Sequence, residues 1–411
     1  ASTTASAIAS MPWARSVSQM GFVAALALTA SLAVFAADDV EVSIVNFYPG
    51  PDVYELEGHT ALRVKSPAYD VAVSYGTYDF NSPNFIYRFV KGETDYRVVA
   101  YPWRPFADAY IRQERRIVAH PVALDSAQTA RFLALVDENL RPENAVYRYN
   151  YVKDNCATRP LAIVERALGD SIVFEGVPSA GMMTFREVMR RYHTNYPWYQ
   201  FGIDLALGSG IDYPITLREA TFAPATLDSL LASATAGGRP VTGAAVIVND
   251  VAPDAAVEGP TPWFLTPTAV FTLLFVVTLA MTIRDIRRRR VNRWFDSLLF
   301  GAFGLTGCLI AFLVFISVHE ATSPNYLLLW LNPFCLIPAI FIWLKKAKAI
   351  ILSYQIVNFV VLIFLAAAWP WLPQSGNIAF VPLLLCDMMR SASYIYINLK
   401  NRRLFAGEVN R

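Results

Sequence analysis

The stretch "WFLTPTAVFTLLFVVTLAMTI", residues 263–283, runs 21 positions without a charge. A helix crosses the hydrocarbon core of a bilayer in about 20 residues, so this run reads as a membrane span and decides the fold class. Three more uncharged runs follow, at residues 297–318, 326–344 and 349–372, and a fifth, 378–399, is interrupted by Asp387 and Arg390. The loop "RDIRRRRVNR" (284–293) carries six arginines and "KKAK" (345–348) three lysines, whereas "HEATSPN" (319–325) and "PQSGN" (373–377) carry neither. Basic loops alternating with bare ones obey the positive-inside rule, which places the soluble domain ahead of residue 263 outside the cytoplasm. The tail, with Lys400, Arg402, Arg403 and Arg411, then lies inside. The arginine run is thus a topology signal, and with a net charge of +2 nothing calls for a nucleic-acid partner. Asp387 and Arg390, spaced i, i+3, read either as a pair on one helix face or as functional groups inside a span.

The rest of the chain follows from that frame. An apolar content of 55% suits a membrane protein better than two soluble domains. Arg15 precedes an apolar run from Gly21 to Phe35 with small residues at Ala36 and Ala37, the pattern of a secretory signal or, alternatively, an uncleaved anchor. The expected organisation is a leader and signal over 1–37, a periplasmic domain over 38–235, a Gly-, Ala- and Pro-rich connector over 236–262, an all-α bundle of about five helices over 263–399, and a cytoplasmic tail over 400–411. Within the periplasmic part, "DSAQTARFLALVDENL" (125–140) predicts a helix opened by Asp125 or Ser126, with Phe132, Leu133, Val136 and Leu140 on its apolar side.

Of four cysteines, Cys308, Cys335 and Cys386 lie in the spans, where a thiol acts as a small hydrophobe. Cys156, in "YNYVKDNCATRPL" (149–161), is the only one outside them. A thiol with no disulfide partner in an oxidising compartment is either an incidental buried residue or one with a use. Pro160, Leu161, Val164 and Leu168 set a helix just after it, so that amide groups and the positive dipole end favour a thiolate and offer an oxyanion site.

A cysteine nucleophile needs a base, and the chain holds four histidines. His319 follows the second span, His120 precedes a proline and faces no recognisable polar cluster, and His193 sits in the basic and aromatic stretch "EVMRRYHTNYPWYQFGI" (187–203). That stretch suits either membrane-surface contact or a scaffold helix. His59 occurs in "VYELEGHTALRVKS" (53–66), read as a strand from Val53 to Val64 in which Glu55, Glu57, His59 and Arg63 share a face. The next strand, "DVAVSYGTYDF" (70–80), offers Tyr75 and Asp79 as an orienting third group. His59 as the base for Cys156 stands against a solvated histidine at a strand end.

As a set, "GHTALRV" (58–64), "SYGTYDFNSPNFIYRFVKGETDYRV" (74–98), "YRYNYVKDNCATR" (147–159) and "WYQFGIDLALGSGIDYPITLREATFAPATL" (198–227) resemble the Lnb-type lipoprotein N-acyltransferases over roughly residues 40–235. The segment "IRQERRIVAH" (111–120) departs from the pattern expected there, in which a glutamine follows an arginine-valine pair. The resemblance implies an α+β periplasmic domain of circularly permuted papain-like (NlpC-type) fold, with His59 as base and Cys156 as nucleophile. It implies supporting roles for Glu55, Tyr75, Asp79 and Asn155, with Arg63 on the same strand face. It further implies a phospholipid acyl donor, a bacterial lipoprotein acceptor, a cysteine thioester and a site at the inner membrane, with no metal or other cofactor. Competing readings keep the thiol pair but cleave a peptide or hydrolyse a lipid, or make the chain a non-enzymatic lipoprotein-binding membrane module.

Overall fold

The computed structural model describes residues 39–78, 83–175 and 183–409, with side chains to residue 401; the expected signal segment and Asp79 lie outside the described residues. The chain divides into two compact units, residues 1–192 with 214–259, and residues 193–213 with 260–411.

The first unit is built on a seven-stranded antiparallel sheet. In chain order its strands are β1 (Glu41–Phe47), β2 (His59–Lys65), β3 (Asp70–Thr77), β4 (Asp95–Pro102), β5 (Ile117–Pro121), β6 (Val146–Arg148) and, late in the chain, β10 (Val246–Asn249). They lie in the order β10-β5-β1-β2-β3-β4-β6. Strand β10 falls inside the stretch read as a connector, because Val246 and Ile247 find ladder partners in Ala119 and Val118. A second sheet joins β7 (Val173–Phe174), β8 (Ala234–Ala236) and β9 (Arg239–Pro240).

Helices α1 (Phe85–Lys91), α2 (Trp103–Ile111), α3 (Ser126–Leu140), α4 (Thr158–Leu168), α5 (Phe185–Tyr192), α7 (Leu217–Ala220) and α8 (Pro224–Leu231) complete this unit, with α6 (Pro197–Ala206) belonging to the other. Alternation along the strands gives the sheet two apolar faces. Helices α3 and α4 cover Val42, Ile44, Leu62, Val64, Val73 and Tyr75 with Phe132, Leu133, Val136, Leu161 and Val164. Helix α2 covers Val45, Phe47, Ala61 and Ala72 with Trp103, Ala107, Phe106 and Tyr110. Each fully buried Val, Leu, Ile or Phe among them contributes about 1.5–3 kcal/mol by leaving water. Helix α3 starts as its sequence predicts, through a reciprocal capping box between Asp125 and Gln128.

Strand β2 starts later than the sequence reading. Val53–Glu55 is a single 3₁₀ turn, and the chain turns at Gly58, where φ is +88° and a Cβ would stand 2.5 Å from the Phe47 carbonyl oxygen. Only glycine accepts both conditions. Glu55 and Glu57 therefore do not share the strand face of His59; that face holds His59, Ala61 and Arg63.

In the second unit, α9 (Pro267–Arg288), α10 (Arg293–Phe315), α12 (Lys348–Ala368) and α13 (Phe380–Val409) supply four helices long and apolar enough to cross a membrane. The third expected span is instead broken into 3₁₀ turns at Tyr326–Leu329 and Pro333–Cys335 and the short α11 (Leu336–Phe341). Pro333 and Pro338 each lack an amide hydrogen, so no continuous helical ladder runs through this segment. Asp387 and Arg390 do not pair with each other. Arg390 reaches Asp296 at 2.6 Å and Asp285 at 2.8 Å, and Asp387 accepts from Asn358 at 2.7 Å and Ser391 at 3.1 Å. The stretch read as one basic and aromatic surface is split. Helix α6 packs Phe201 at 5.1 Å from Phe271 and 5.3 Å from Phe380, Asp204 accepts from Asn377 at 2.8 Å, and the Gly208 amide donates to Ala321 at 2.9 Å.

Candidate active site

The site lies where β2 and β3 part. Paired from Lys65 with Asp70 to Ala61 with Ser74, the two strands separate at the His59 end, where Gly76 adopts φ +88°. Cys156, just ahead of α4, enters this opening. A Cβ at Gly76 would stand 3.5 Å from the Cys156 Cβ and 3.2 Å from the Tyr149 ring, so glycine makes room for both. The backbone amide of Thr60, the residue after His59, lies close enough to the Cys156 sulfur to favour its ionised form. The Tyr149 hydroxyl donates to the sulfur at 3.9 Å, and the cysteine's own amide lies beside it. Tyr149 is held by Tyr96, stacked at 4.2 Å between centroids.

His59 lies on the α2 side of the sheet, its ring among Phe47 at 6.1 Å, Tyr110 at 6.2 Å and Phe106 at 6.4 Å. Its Nε2 hydrogen-bonds Ser74 Oγ at 2.9 Å. Ser74 and Gly76 lie two positions apart on β3, so His59 and Cys156 both approach that one strand.

Burial governs the ionisation of both groups. It pushes the Cys156 thiol up to about 11, against the opposing pull of the Thr60 amide, the Tyr149 hydroxyl and its own amide; Glu57 adds to the rise. It pushes His59 down to about 3, with the Arg115 charge adding to the effect. Near neutral pH the thiol and the imidazole are therefore each uncharged.

The supporting residues separate clearly. Asn155 shapes the start of α4: its Oδ1 accepts the amides of Ala157 at 2.9 Å and Thr158 at 3.0 Å, while Nδ2 donates to the carbonyls of Tyr151 at 2.7 Å and Phe222 at 2.8 Å. With the Arg159 amide on the Asn155 carbonyl and none on Pro160, the expected open row of amides at this helix start is occupied. The Cys156 amide is the one left beside the sulfur. Tyr75 faces α3 and α4 in the core, so the orienting partner of His59 is its neighbour Ser74. Arg63 pairs with Asp70 at 2.6 Å and lies over Trp103, one turn of the pleat beyond Ala61 from His59. Glu55 pairs at 3.0 Å with Arg115, and burial raises its carboxyl above the ordinary range.

Sequence reasoning missed Ser74, Thr60, Tyr149, Tyr110 and Arg115. Arg115 is 1% exposed, donates to the Tyr48 carbonyl at 2.7 Å and lies 4.7 Å over the Tyr110 ring. The other histidines go elsewhere. His120 is buried and meets Asp228 at 2.7 Å, a carboxylate that also accepts from Tyr48 at 2.7 Å, so it does face a polar cluster. His193 is buried and bonds Gln200 at 2.7 Å, away from any surface role. Among the described residues no group of three His, Cys, Asp or Glu side chains is placed to hold a metal ion.

No curated protein and no solved structure matches the chain. Two family models do, and in the order the topology requires. The one described as the Lnb N-terminal periplasmic domain matches residues 29–191, and the one described as the Lnb transmembrane domain matches residues 260–402. Together they span most of the chain, which belongs to the Lnb-type family of multi-pass membrane proteins with a periplasmic domain.

Proposed function

We propose that the chain is a lipoprotein N-acyltransferase that works through a thioester on Cys156. The observation that carries this reading is the approach of the one thiol outside the spans to the Thr60 amide, next to His59 at the start of β2, with His59 hydrogen-bonded to Ser74 on the neighbouring β3. The family match supports it.

In this mechanism His59 takes the tautomer in which Nε2–H donates to Ser74, so that Nδ1 keeps its lone pair for the thiol proton. Because the resting pair is neutral, the proton leaves sulfur as the sulfur attacks the ester carbonyl of a phospholipid. The C–S bond forms, the carbonyl oxygen becomes an oxyanion, and the imidazole carries the proton. The Cys156 amide and the Tyr149 hydroxyl are the donors beside that oxygen; burial holds the Tyr149 phenol protonated. Collapse breaks the C–O bond, and the imidazolium returns its proton to the departing lysophospholipid. The α-amine of a diacylglyceryl-cysteine then attacks the thioester, forms the amide, and releases the thiol with the proton passing through His59. A thioester retains enough acyl-transfer potential for an amine acceptor, so neither step requires nucleotide energy.

The test is acyl labelling of full-length protein with an alkyne-bearing phospholipid. Wild type should take up label that neutral hydroxylamine removes; Cys156→Ala and His59→Ala should take up none, and Tyr149→Phe should label about 10²-fold more slowly, as loss of one oxyanion donor does elsewhere. Active protein that never labels, or Cys156→Ala that still acylates lipoproteins, would overturn the proposal.

A further inference from the structure

The broken third segment of the membrane unit leaves a groove beside α12. Two glycines of α10 draw that segment to one side. A Cβ at Gly304 would stand 2.7 Å from Leu336, and one at Gly307 would collide with the Asn332 backbone. Ser297 adds a hydrogen bond to the Ala339 carbonyl at 2.6 Å. Welded to α10 in this way, the segment parts from α12 and opens a groove of about 420 Å³, lined by Phe334, Ile337, Val357 and Val361 among others. The volume lies within the range of ligand sites rather than packing defects.

Two of its polar neighbours are already engaged. The Tyr354 hydroxyl donates to the Cys335 sulfur at 3.3 Å, and the Asn358 amide nitrogen donates to Asp387 at 2.7 Å and Ser391 at 3.1 Å. What the walls offer is hydrocarbon. Phe334 at 67% and Val357 at 63% exposure present apolar surface, and Val357 stands on α12, a helix long and apolar enough to lie among lipid tails. A second copy of the chain fits poorly, because paired membrane helices meet through small residues, and this rim is bulky.

We infer that this groove is a binding site for one acyl chain of a membrane glycerophospholipid. The site is independent of the Cys156 chemistry and stands or falls without it.

The experiment reconstitutes the full chain in vesicles of phosphatidylethanolamine and phosphatidylglycerol doped with a phosphatidylcholine that carries a mid-chain diazirine. After irradiation, adducts are mapped by peptide mass spectrometry. Labels on residues 329–337 and 350–361 should exceed several-fold those at comparably exposed Leu273 of α9 and Leu305 of α10. Val357→Trp should remove the excess and leave the α9 and α10 labels, which report an intact fold. Even labelling across the helices, an excess that Val357→Trp does not touch, or protein–protein adducts from these segments in place of lipid adducts would overturn the inference.

Discussion

At Cys156 and His59, burial opposes charge on both partners, and this sets how the site responds to pH. His59, lowered to about 3, gains a proton only as pH falls toward that value; Cys156, raised to about 11, loses one only as pH rises toward that value. Thioester formation should therefore be flat through about pH 6.5, where an ordinary histidine would impose an acid limb. Iodoacetamide alkylation of Cys156, followed on its peptide by mass spectrometry, should rise about tenfold per unit between about pH 8 and 10. Alkylation already at its plateau below about pH 8 would show a preformed thiolate instead. Cys156 and His59 stood out in the sequence as candidates because each is a rare residue type in a polar stretch. Ser74 did not: telling it from Tyr75 takes the register of β2 on β3, in which Ala61 meets Ser74, and no single strand carries that information.

Among the elements, α4 owes its start to one side chain. Asn155 satisfies two amides and two carbonyls there, so Asn155→Ala should cost about 2 kcal/mol through lost capping and unpaired buried groups. Thermal unfolding of the full chain in detergent, read by near-ultraviolet circular dichroism, checks it; an unchanged transition would mean that water replaces the carboxamide. Helix α3 was readable in full, since its capping box and its 3.6-residue apolar period are both local. The start of β2 was not. The alternation from Val53 to Val64 is a strand pattern, and the turn that interrupts it depends on how close Gly58 comes to Phe47, a contact from another strand.

For the molecule as a whole, charge placement and span length made the topology legible, because the bilayer imposes both on any sequence. The ties between spans were not legible, since they pair residues about a hundred positions apart. Arg390 joins α13 to α9 through Asp285 and to α10 through Asp296, all three buried. Arg390→Met strands two carboxylates and should cost about 3–5 kcal/mol, seen as a lower temperature of half-loss of monodisperse protein. Adding Asp285→Asn and Asp296→Asn should restore part of the loss; no recovery would locate the effect in packing rather than charge.

The assignment of residues 193–213 to the helical unit, with chain of the other unit on both sides, means that the polypeptide changes allegiance three times rather than once. No single cut yields an excisable soluble half. Truncation after residue 259 would keep α6 while deleting Phe271 and Phe380, leaving Phe201 without its apolar neighbours. Biosynthesis inherits the same constraint: that helix must wait, already exported, until the last transmembrane segment has been made.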